Sequence, residues 1–412
     1  MVYPRQILYT KNILSFFQLN KKENIKSNID KFQTVFCKVF NTKKVLPIAM
    51  GRLGIYFACK EISDKTKNEI ILSPFTIFDI VNMILSSNSK PVFCDIERNS
   101  NHLSLSSIRK KITKKTAAVI ITHYETINPE IKKIYLFCKR KKIKVINDLA
   151  ISIDSKLNRS YLYNYSDFSI YSFGFYKFVS SMYGGSIFVR NSKTLLKIKN
   201  KILKFPNYNL FDLFGQITKF ILINFLLQKI IFHYFIFPIF RFGFFNNLNF
   251  INKFSKNDPN PYIDFKINKK LFKNLNISQI NNIEKSLRSI EKQRLARKKN
   301  FNIYKKNLNN LNITLDYNEK LQGRSSFINF TILCKNKKKL KKYLMSKGFD
   351  LSQYFYRDCS SLKFFKKYGS NMINTNLHVK KLLFLPTHHK IPPDYAKKLS
   401  LAICKFYEKK NI

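Results

Sequence analysis

The sequence predicts an α/β protein with a mostly parallel sheet and a second, smaller α/β domain. From residue 45 to residue 148, short apolar runs of strand length alternate with helical segments, the pattern of a parallel sheet covered by helices. A chain of 412 residues is long enough to bury a large core and to form two domains. Residues 165–190 add two further strands, joined by a turn that ends on Gly184-Gly185.

The predicted elements follow one another in a regular order. The alternating region consists of an apolar run at 45–48, a helix after Gly51, a strand at 70–72, a turn and helix at 73–85, a strand at 90–96, a helix at 104–112, a strand at 117–124, a helix at 129–142 and a strand at 144–150. The C-terminal part is predicted to hold a long helix at 277–308, a strand at 325–333, a helix at 337–349 and a final helix at 395–407.

Composition excludes several classes of protein. A formal net charge of +51 would suggest a nucleic-acid partner, but the lysines are spread over the whole chain and no known nucleic-acid-binding module is present. The seven cysteines form no CxxC pair, which argues against a zinc site and a disulfide framework. The cysteine spacing thus predicts no metal site. The N-terminal residues lack the apolar core of a signal peptide, so we expect a cytoplasmic protein.

Three positions carry chemical signals, and each also has a structural interpretation. Lys177 lies in the turn between two strands, where burial would lower its pKa and let it form an imine with an aldehyde; otherwise it is one of many surface lysines. Asp148 ends a strand and could pair with a protonated pyridine nitrogen, or form a turn. Gly51 begins a helix whose amides suit a phosphate, or is a plain cap.

The order of these motifs resembles the DegT/DnrJ/EryC1/StrS family of sugar aminotransferases. The resemblance rests on the series GR, SPFT, KPVFCDI, THYETINPEIKKI, INDLA, YSFGFYK and GG, and it extends to the segment LLFLPTHHKIPPDYAKKLSLAI near the C-terminus. It covers roughly four fifths of the chain, and an ordered set of motifs is far more specific than any single one. It implies the fold of type I pyridoxal-phosphate transferases, which resembles aspartate aminotransferase.

The resemblance also implies roles for individual residues. Lys177 would be the lysine that binds the aldehyde of pyridoxal 5'-phosphate and then moves the proton, and Asp148 would pair with the pyridine nitrogen. Ser172 would bond the phosphate together with the backbone amides of Gly51 and Arg52. Thr76 and Ile77 would lie near the ring.

This chain departs from the family pattern at several points. Met50 replaces the usual serine before Gly51, and Ile151 stands where the motif after the aspartate usually has glutamine. Met182-Tyr183 occupies the place of Gly-Glu before the glycine pair, and the family's Gly-x-Asn-x-Arg segment has no clear counterpart.

Residues 205–262 form the most apolar part of the chain. We expect three parts: a large cofactor-binding domain at 1–204, a hydrophobic helical insertion at 205–262 and a small domain at 263–412. Lys229 near the middle of the apolar stretch disfavours a spanning helix, since a central lysine costs about 2.5–3.5 kcal/mol. Two interpretations stay open: short helices at 211–245 lying in a membrane interface, or a helical pair packed on the enzyme or its dimer mate.

Other polar residues have weaker signals. Arg294 and Arg297 fall on the long predicted helix. They could bind phosphates, but charges on a long helix usually form a solvated face. His123 could orient the cofactor or substrate, but a hydrogen-bonded structural histidine is the favoured interpretation.

The resemblance implies an enzyme that moves an amino group, usually from glutamate, to a nucleotide-linked keto sugar for surface polysaccharide synthesis. It also implies a homodimer, because the active sites of the family lie between subunits. We place the enzyme in the cytoplasm, at the inner face of the membrane if the insertion contacts lipid. Two alternatives stay open: a noncatalytic relative that binds sugar nucleotide or acts as a scaffold at the membrane, and a basic nucleic-acid-binding protein.

Overall fold

A seven-stranded sheet forms the centre of the larger part of the molecule. The structure is a computed structural model, which describes residues 1–10, 24–256, 260–315, 317, 324–351, 356–369 and 371–408. The strands are β1 Val45–Ile48, β2 Glu69–Leu72, β3 Phe75–Thr76, β4 Lys90–Phe93, β5 Thr116–Thr122, β6 Lys144–Asp148, β7 Lys156–Leu157, β8 Ser160–Tyr161, β9 Phe168–Ser172, β10 Gly185–Val189, β11 Asn329–Leu333, β12 Arg357–Asp358 and β13 Leu382–Pro386.

The helices cover this sheet and build the C-terminal part. They are α1 Ile25–Phe40, α2 Gly51–Ile62, α3 Phe78–Ser86, α4 Leu105–Lys111, α5 Ile131–Arg140, α6 Ser192–Ile202, α7 Leu210–Leu226, α8 Lys229–Ile231, α9 Phe237–Phe245, α10 Asn249–Lys256, α11 Ile277–Arg288, α12 Ile290–Leu308, α13 Lys337–Ser346, α14 Ile373–Lys381 and α15 Pro393–Glu408.

The sheet has the strand order β1-β10-β9-β6-β5-β2-β4. The five strands from β9 to β4 in this order are parallel. Beside β9, β10 and then β1 are added as antiparallel strands. The prediction of a mostly parallel α/β sheet is therefore confirmed. Strands β5 and β6 are buried along almost their whole length, as expected for central strands covered on both faces.

The register brings four strands together at the edge of the sheet where β6 and β9 end. Asp148 at the end of β6 pairs with Ile170 of β9, and Ser172 at the end of β9 pairs with Gly185 at the start of β10. Gly185 in turn pairs with Ile48, the last residue of β1. Ligands of open α/β sheets bind at the carboxyl ends of the parallel strands, so this edge is where a site is expected.

The C-terminal part has its own core around the antiparallel pair β11 and β13. Helices α12, α13 and α15 contribute side chains such as Tyr304, Leu344 and Leu399 to that core, all of them fully buried. The prediction of one continuous helix at 277–308 is wrong. The helix is interrupted at Ser289, which separates α11 from α12.

The apolar insertion folds as a broken series of helices. It breaks at residues 227–228, directly before Lys229, and its next turns form a π-helix over Phe232–Ile236. Within the described residues, no single helix is long and apolar enough to cross a membrane. The pair Leu210–Leu226 and Lys229–Phe245 meets that test of length and composition together, with a bend of 66° between its arms.

Glu125 joins the large part of the molecule to the C-terminal part. One of its carboxylate oxygens accepts hydrogen bonds from Asn101 Nδ2 at 2.8 Å, Thr331 Oγ1 at 2.6 Å and the Tyr317 hydroxyl at 3.1 Å. The side chain is almost entirely buried, and burial raises the pKa of this carboxyl group. Three donors therefore depend on one oxygen, and an unsatisfied buried polar group costs about 1–3 kcal/mol.

Replacing Glu125 tests this junction. Glu125→Gln retains an oxygen for the three donors and removes the buried charge. Glu125→Ala removes the acceptor of Asn101 and Thr331, whereas the Tyr317 hydroxyl can still donate to the Thr331 carbonyl at 3.3 Å. We expect Glu125→Ala to lower the free energy of unfolding by at least about 2 kcal/mol, measured from urea midpoints.

The pH dependence separates charge from packing. Because the folded-state pKa of Glu125 is raised, the wild type loses stability as pH rises from the unfolded value of roughly 4.3 toward the folded value. Glu125→Gln should therefore gain stability relative to the wild type over that interval. A constant difference between the two proteins at all pH values would contradict this account.

Candidate active site

A cavity of about 340 Å³ opens at the sheet edge where β6 and β9 end. All seven residues predicted for the site line it: Gly51, Arg52, Thr76, Ile77, Asp148, Ser172 and Lys177. They come from segments up to 126 residues apart (from 51 to 177), so the fold brings them together. Their roles there remain predictions.

Lys177 lies in the turn between β9 and β10. Its backbone amide donates to the Gly174 carbonyl at 3.0 Å, which closes a tight turn and holds the side chain at the cavity wall. Burial lowers the pKa of the Lys177 amine, and the nearby Asp148 carboxylate opposes that change. A lysine with a lowered pKa is more often neutral, and only the neutral amine is a nucleophile.

Asp148 ends the central strand β6 and is buried. Its Oδ1 accepts a hydrogen bond from the Ala150 backbone amide at 3.1 Å. Burial raises the pKa of the Asp148 carboxyl, while that hydrogen bond and the charge of Lys177 act to lower it. The cavity thus holds an acid and an amine that affect each other's protonation.

The N-terminus of α2 and Ser172 form a second side of the cavity. Helix α2 begins at Gly51, and Met50 before it provides no side-chain cap. The first amides of a helix have no intrahelical partner, and the helix dipole makes this end positive. A Cβ on Gly51 would lie 3.0 Å from the Ser172 Cβ, so α2 approaches the end of β9 as closely as glycine allows. This arrangement suits a phosphate group.

The side chain of Arg52 has a partner of its own. Arg52 forms an ion pair with Asp79 at 2.7 Å, and the hydroxyl of Tyr262 donates to the same carboxylate at 3.2 Å. Both Arg52 and Asp79 line the cavity. The ion pair links the start of α2 to α3 and fixes the cationic side chain at the cavity rim.

Thr76 and Ile77 connect the cavity to the C-terminal part of the chain. Thr76 belongs to β3, which pairs with β12 through Thr76 and Arg357. Ile77 directly precedes α3. A short two-stranded ladder therefore positions both residues at the cavity wall.

Two residues of the turn that follows Lys177 have a positive φ, and only one of them is a glycine. Met182 has a φ of 67° and Gly184 a φ of 134°. Met182 stands where the family has glycine, so a side chain occupies a conformation that glycine adopts more easily, and Met50, Ile151 and Tyr183 also line the cavity. The departures from the family pattern are thus concentrated at the cavity itself.

His123 lies outside the cavity lining and is fully buried. Its Nδ1 accepts from the Asn128 amide at 3.1 Å, and its Nε2 lies 3.4 Å from Asn147 Oδ1. Burial lowers the pKa of His123 to about 4, so the ring is neutral. These contacts fit the structural interpretation of this histidine.

The prediction that Arg294 and Arg297 lie on a solvated helix face is wrong. Both side chains are buried where α12 crosses between the two parts of the chain, and Arg294 lies 3.3 Å from Asp154. The Arg297 Nε donates to the Ser326 carbonyl at 2.8 Å, and its guanidinium stacks 4.3 Å from the Phe178 ring centroid. Because Phe178 follows Lys177, Arg297 supports the turn that carries the lysine.

Several cavity residues were not predicted from the sequence. Gln6, Gln216, Asn329 and Tyr356 reach the cavity from four distant segments. Gln216 offered a faint signal, as a polar residue in the apolar helix α7. On the same helix Phe220 packs edge-on against Phe175 with ring centroids 5.6 Å apart. The insertion therefore forms part of the cavity wall.

The fold and this cavity define a lysine-and-carboxylate site on the framework of type I aminotransferases. The family model of the DegT/DnrJ/EryC1/StrS aminotransferase family matches residues 11–209 and 273–403, and the chain belongs to that family. The two matched parts leave out most of the predicted insertion.

Curated relatives match the chain over a limited region. GDP-perosamine synthase of Vibrio cholerae is 29% identical over 177 residues, which are 42% of this chain and 48% of that protein. GDP-perosamine synthase of Escherichia coli O157:H7 is 28% identical over 167 residues, or 40% of this chain and 46% of that protein. The chain thus matches about half the length of these relatives.

The solved structures extend the similarity of fold to the whole chain. PseC of Helicobacter pylori, an aminotransferase involved in the biosynthesis of pseudoaminic acid, superposes with a TM-score of 0.73 at 16% identity. The alignment covers 98% of this chain and 100% of that one. At this level of identity, the superposition shows that the fold is shared.

Gly185 provides a test of the close approach at the cavity. A Cβ on this residue would lie 2.4 Å from the Gly51 backbone nitrogen, so Gly185→Ala must push the start of β10 away from α2. We expect a loss of stability and at least tenfold weaker binding of inorganic phosphate or pyridoxal 5'-phosphate, measured by urea unfolding and equilibrium titration.

Gly215→Ala is the matched control. A Cβ there meets nothing within 4 Å, and Gly215 lies inside α7. Alanine should stabilise this helix by about 0.5–1 kcal/mol and leave binding unchanged. Equal effects of both substitutions on binding would show that anion binding at the N-terminus of α2 does not depend on the close approach of β10 and α2.

Proposed function

We propose that this protein is a pyridoxal-phosphate-dependent aminotransferase that moves an amino group from glutamate to a keto group of a nucleotide-linked sugar. The observation that carries the proposal is the placement of Lys177 and Asp148 in one cavity beside the N-terminus of α2. Family membership supports it, as do relatives whose names specify a GDP-linked amino sugar. In this proposal the product enters surface polysaccharide synthesis.

The residues of the cavity fit the three polar parts of the cofactor. The start of α2 with Ser172 suits the phosphate, the Asp148 carboxylate suits the ring nitrogen, and Lys177 suits the aldehyde. A Cβ at Gly51 or Gly185 would crowd the same corner, so glycine keeps room there for the backbone to approach an anion. Thr76 and Ile77 are proposed to lie near the ring.

The protein's own groups then divide the work of amino transfer. When bound, pyridoxal 5'-phosphate supplies an electron sink for the carbon that gains or loses the amino group. Burial keeps the Lys177 amine in its neutral form more often, which lets it act as a nucleophile and as a carrier of protons. Lys177 is proposed to take the proton from the donor carbon of glutamate and to return one to the acceptor carbon of the sugar.

Asp148 and the cavity wall set the conditions for this proton movement. The Asp148 carboxylate would hold a proton on the ring nitrogen through a short ion pair in a water-poor environment. The aromatic side chains Phe175, Tyr176 and Tyr183 line the cavity and limit the access of water. Exclusion of water strengthens the electrostatic interactions within the site.

The proposed assembly is a homodimer in the cytoplasm, with sites between subunits as in the family. Glutamate is the proposed donor. Contact of residues 211–245 with the inner face of a membrane is one of the two interpretations of the insertion, and the proposed chemistry does not require it.

Lys177→Ala tests the proposed chemistry directly. The purified wild type, loaded with pyridoxal 5'-phosphate, should be yellow and should convert keto-sugar nucleotides to amino sugars in the presence of glutamate, followed by mass. Without the amine, Lys177→Ala should lose the near-visible absorption of lysine-bound cofactor and at least about 1000-fold in turnover, since the nucleophile and the proton carrier are the same group.

Lys193→Ala is the control, because Lys193 is an exposed lysine at the start of α6. It should keep both the colour and the activity. A colourless wild-type protein that binds sugar nucleotide would favour the noncatalytic relative, and steep salt-dependent binding to arbitrary DNA would favour the nucleic-acid alternative.

Asp148→Asn tests the coupling of the acid and the amine. The Asp148 charge raises the Lys177 pKa, so its removal should lower that pKa further. The rate at which cofactor-free protein captures pyridoxal 5'-phosphate follows the neutral amine, and its acid limb should move to lower pH in Asp148→Asn. Turnover should still fall, since an amide cannot hold the ring proton as a carboxylate does.

The surface variant Asp394→Asn controls for the loss of one charge, because its side chain is 84% exposed. It should leave the pH profile of capture unchanged. A profile of Asp148→Asn that moves to higher pH would contradict the proposed arrangement.

A further inference from the structure

The outer face of the helical insertion exposes an unusual amount of apolar surface. We call this surface the insertion face and define it by six side chains of α7 to α10. They are Phe211 at 92% exposure, Phe250 at 85%, Phe235 at 64%, Ile230 at 63%, Phe242 at 60% and Phe214 at 59%. Large contiguous apolar patches on a protein surface usually mark an interaction site.

Packing within the molecule explains only the inner side of these helices. Leu213, Ile217 and Phe220 of α7 are almost completely buried, and Phe232 and Phe237 pack with Val2 and Met345. The helices are therefore already anchored to the rest of the chain. The insertion face is additional apolar surface that the fold itself does not require.

The charges on the helices of the insertion are mostly positive. The acidic residue of α7, Asp212, follows Phe211 and forms an ion pair with Lys273 at 2.9 Å. From residue 213 to residue 257 the sequence contains no Asp or Glu, whereas it contains Lys219, Lys229 and Arg241 along the described helices. In addition, Lys341 and Lys342 of α13 lie 5.0 and 5.4 Å from the ring centroids of Phe244 and Phe245. The apolar surface is thus bordered by cations.

This charge pattern discriminates between two occupants. A second copy docking through a twofold axis would bring the same patch against itself and would place its cations near one another. An anionic lipid surface offers opposite charge at its headgroups and an apolar layer beneath them. Lipid therefore matches both properties of the surface, whereas a second copy matches only the apolar one.

The geometry of the helices favours a position in the plane of the membrane interface. The α7 arm has 17 residues, so it is about 25 Å long, shorter than the apolar layer of about 30 Å. The second arm, Lys229–Phe245, bends away from it by 66°, and the cation Lys229 lies at the break. A bent pair with one side already packed on the protein can present its other side to the interface.

We propose that the insertion face docks the protein onto a membrane that contains anionic lipid, with the helices lying in the interface. Since Gln216 of α7 lines the cavity from the opposite side, the site would then lie directly beneath the docked helices. The reaction would take place next to the lipid surface, where membrane-bound enzymes can take up its product.

Vesicle binding tests the proposal with the full chain. The protein is incubated with vesicles of phosphatidylcholine alone or with added phosphatidylglycerol, and the bound fraction is measured by co-sedimentation. We expect at least tenfold tighter binding to the anionic vesicles, with a decrease as salt rises. No binding to either vesicle would overturn the proposal.

Paired substitutions separate the apolar and ionic contributions. Phe211→Ser with Phe250→Ser should weaken binding to anionic vesicles at least tenfold, and Lys229→Gln with Arg241→Gln should weaken it severalfold on anionic vesicles only. Leu196→Ser with Leu401→Ser is the matched control, because these residues are 58% and 55% exposed on α6 and α15. Binding by the Phe211/Phe250 variant at the wild-type level would overturn the proposal.

Two further measurements distinguish lipid docking from self-association and from unfolding. Light scattering reports the oligomeric state, and a change from dimer to monomer in the Phe211/Phe250 variant, without weaker vesicle binding, would assign the face to a second copy and overturn the proposal. Circular dichroism shows that each variant is folded. Vesicle binding does not depend on the cofactor, so failure here leaves the aminotransferase proposal untouched, and failure of Lys177 chemistry leaves docking untouched.

Discussion

The site depends on the burial of one amine beside one carboxylate at the edge of a parallel sheet. Burial alone favours the neutral forms of both Lys177 and Asp148, while their mutual attraction favours the charged forms. The balance leaves a lysine that is more reactive than one in water and a carboxyl group whose protonation responds to that lysine. A fully exposed pair would have neither property, so the depth of the cavity determines its chemistry.

The sheet topology makes this burial unavoidable. Because β6 and β9 are parallel neighbours, their carboxyl ends lie at the same edge, and Asp148 and Ser172 come into one cavity without any special loop. The antiparallel strand β10 then returns at Gly185, so the turn between β9 and β10 must cross that edge, and Lys177 lies within it. Glycines at 51 and 185 allow α2 to approach so closely that its amides face the same space.

Local patterns were enough to predict the sheet and the residues that follow its strands, whereas contacts across the chain were not. Asp148 could be found because it ends an apolar run, and Lys177 because it precedes a glycine pair and fits the family order. Arg297 was expected in solvent, since nothing in a basic helical segment shows that this side chain is buried between Phe178 and Ser326. Glu125 and Gln216 were missed for the same reason, because their partners lie in distant segments.

Helix α7 contributes both to the cavity wall and to the exposed apolar surface, although the sequence shows only one apolar stretch there. Its inner side places Gln216 in the cavity wall and packs Phe220 on Phe175, two residues before Lys177. Its outer side exposes Phe211 and Phe214 to solvent. Because one helix carries both sides, whatever covers the outer side lies against the helix that forms part of the cavity wall. The exposed apolar surface and the wall that faces Lys177 therefore belong to one element, which ties the position of the insertion to the site.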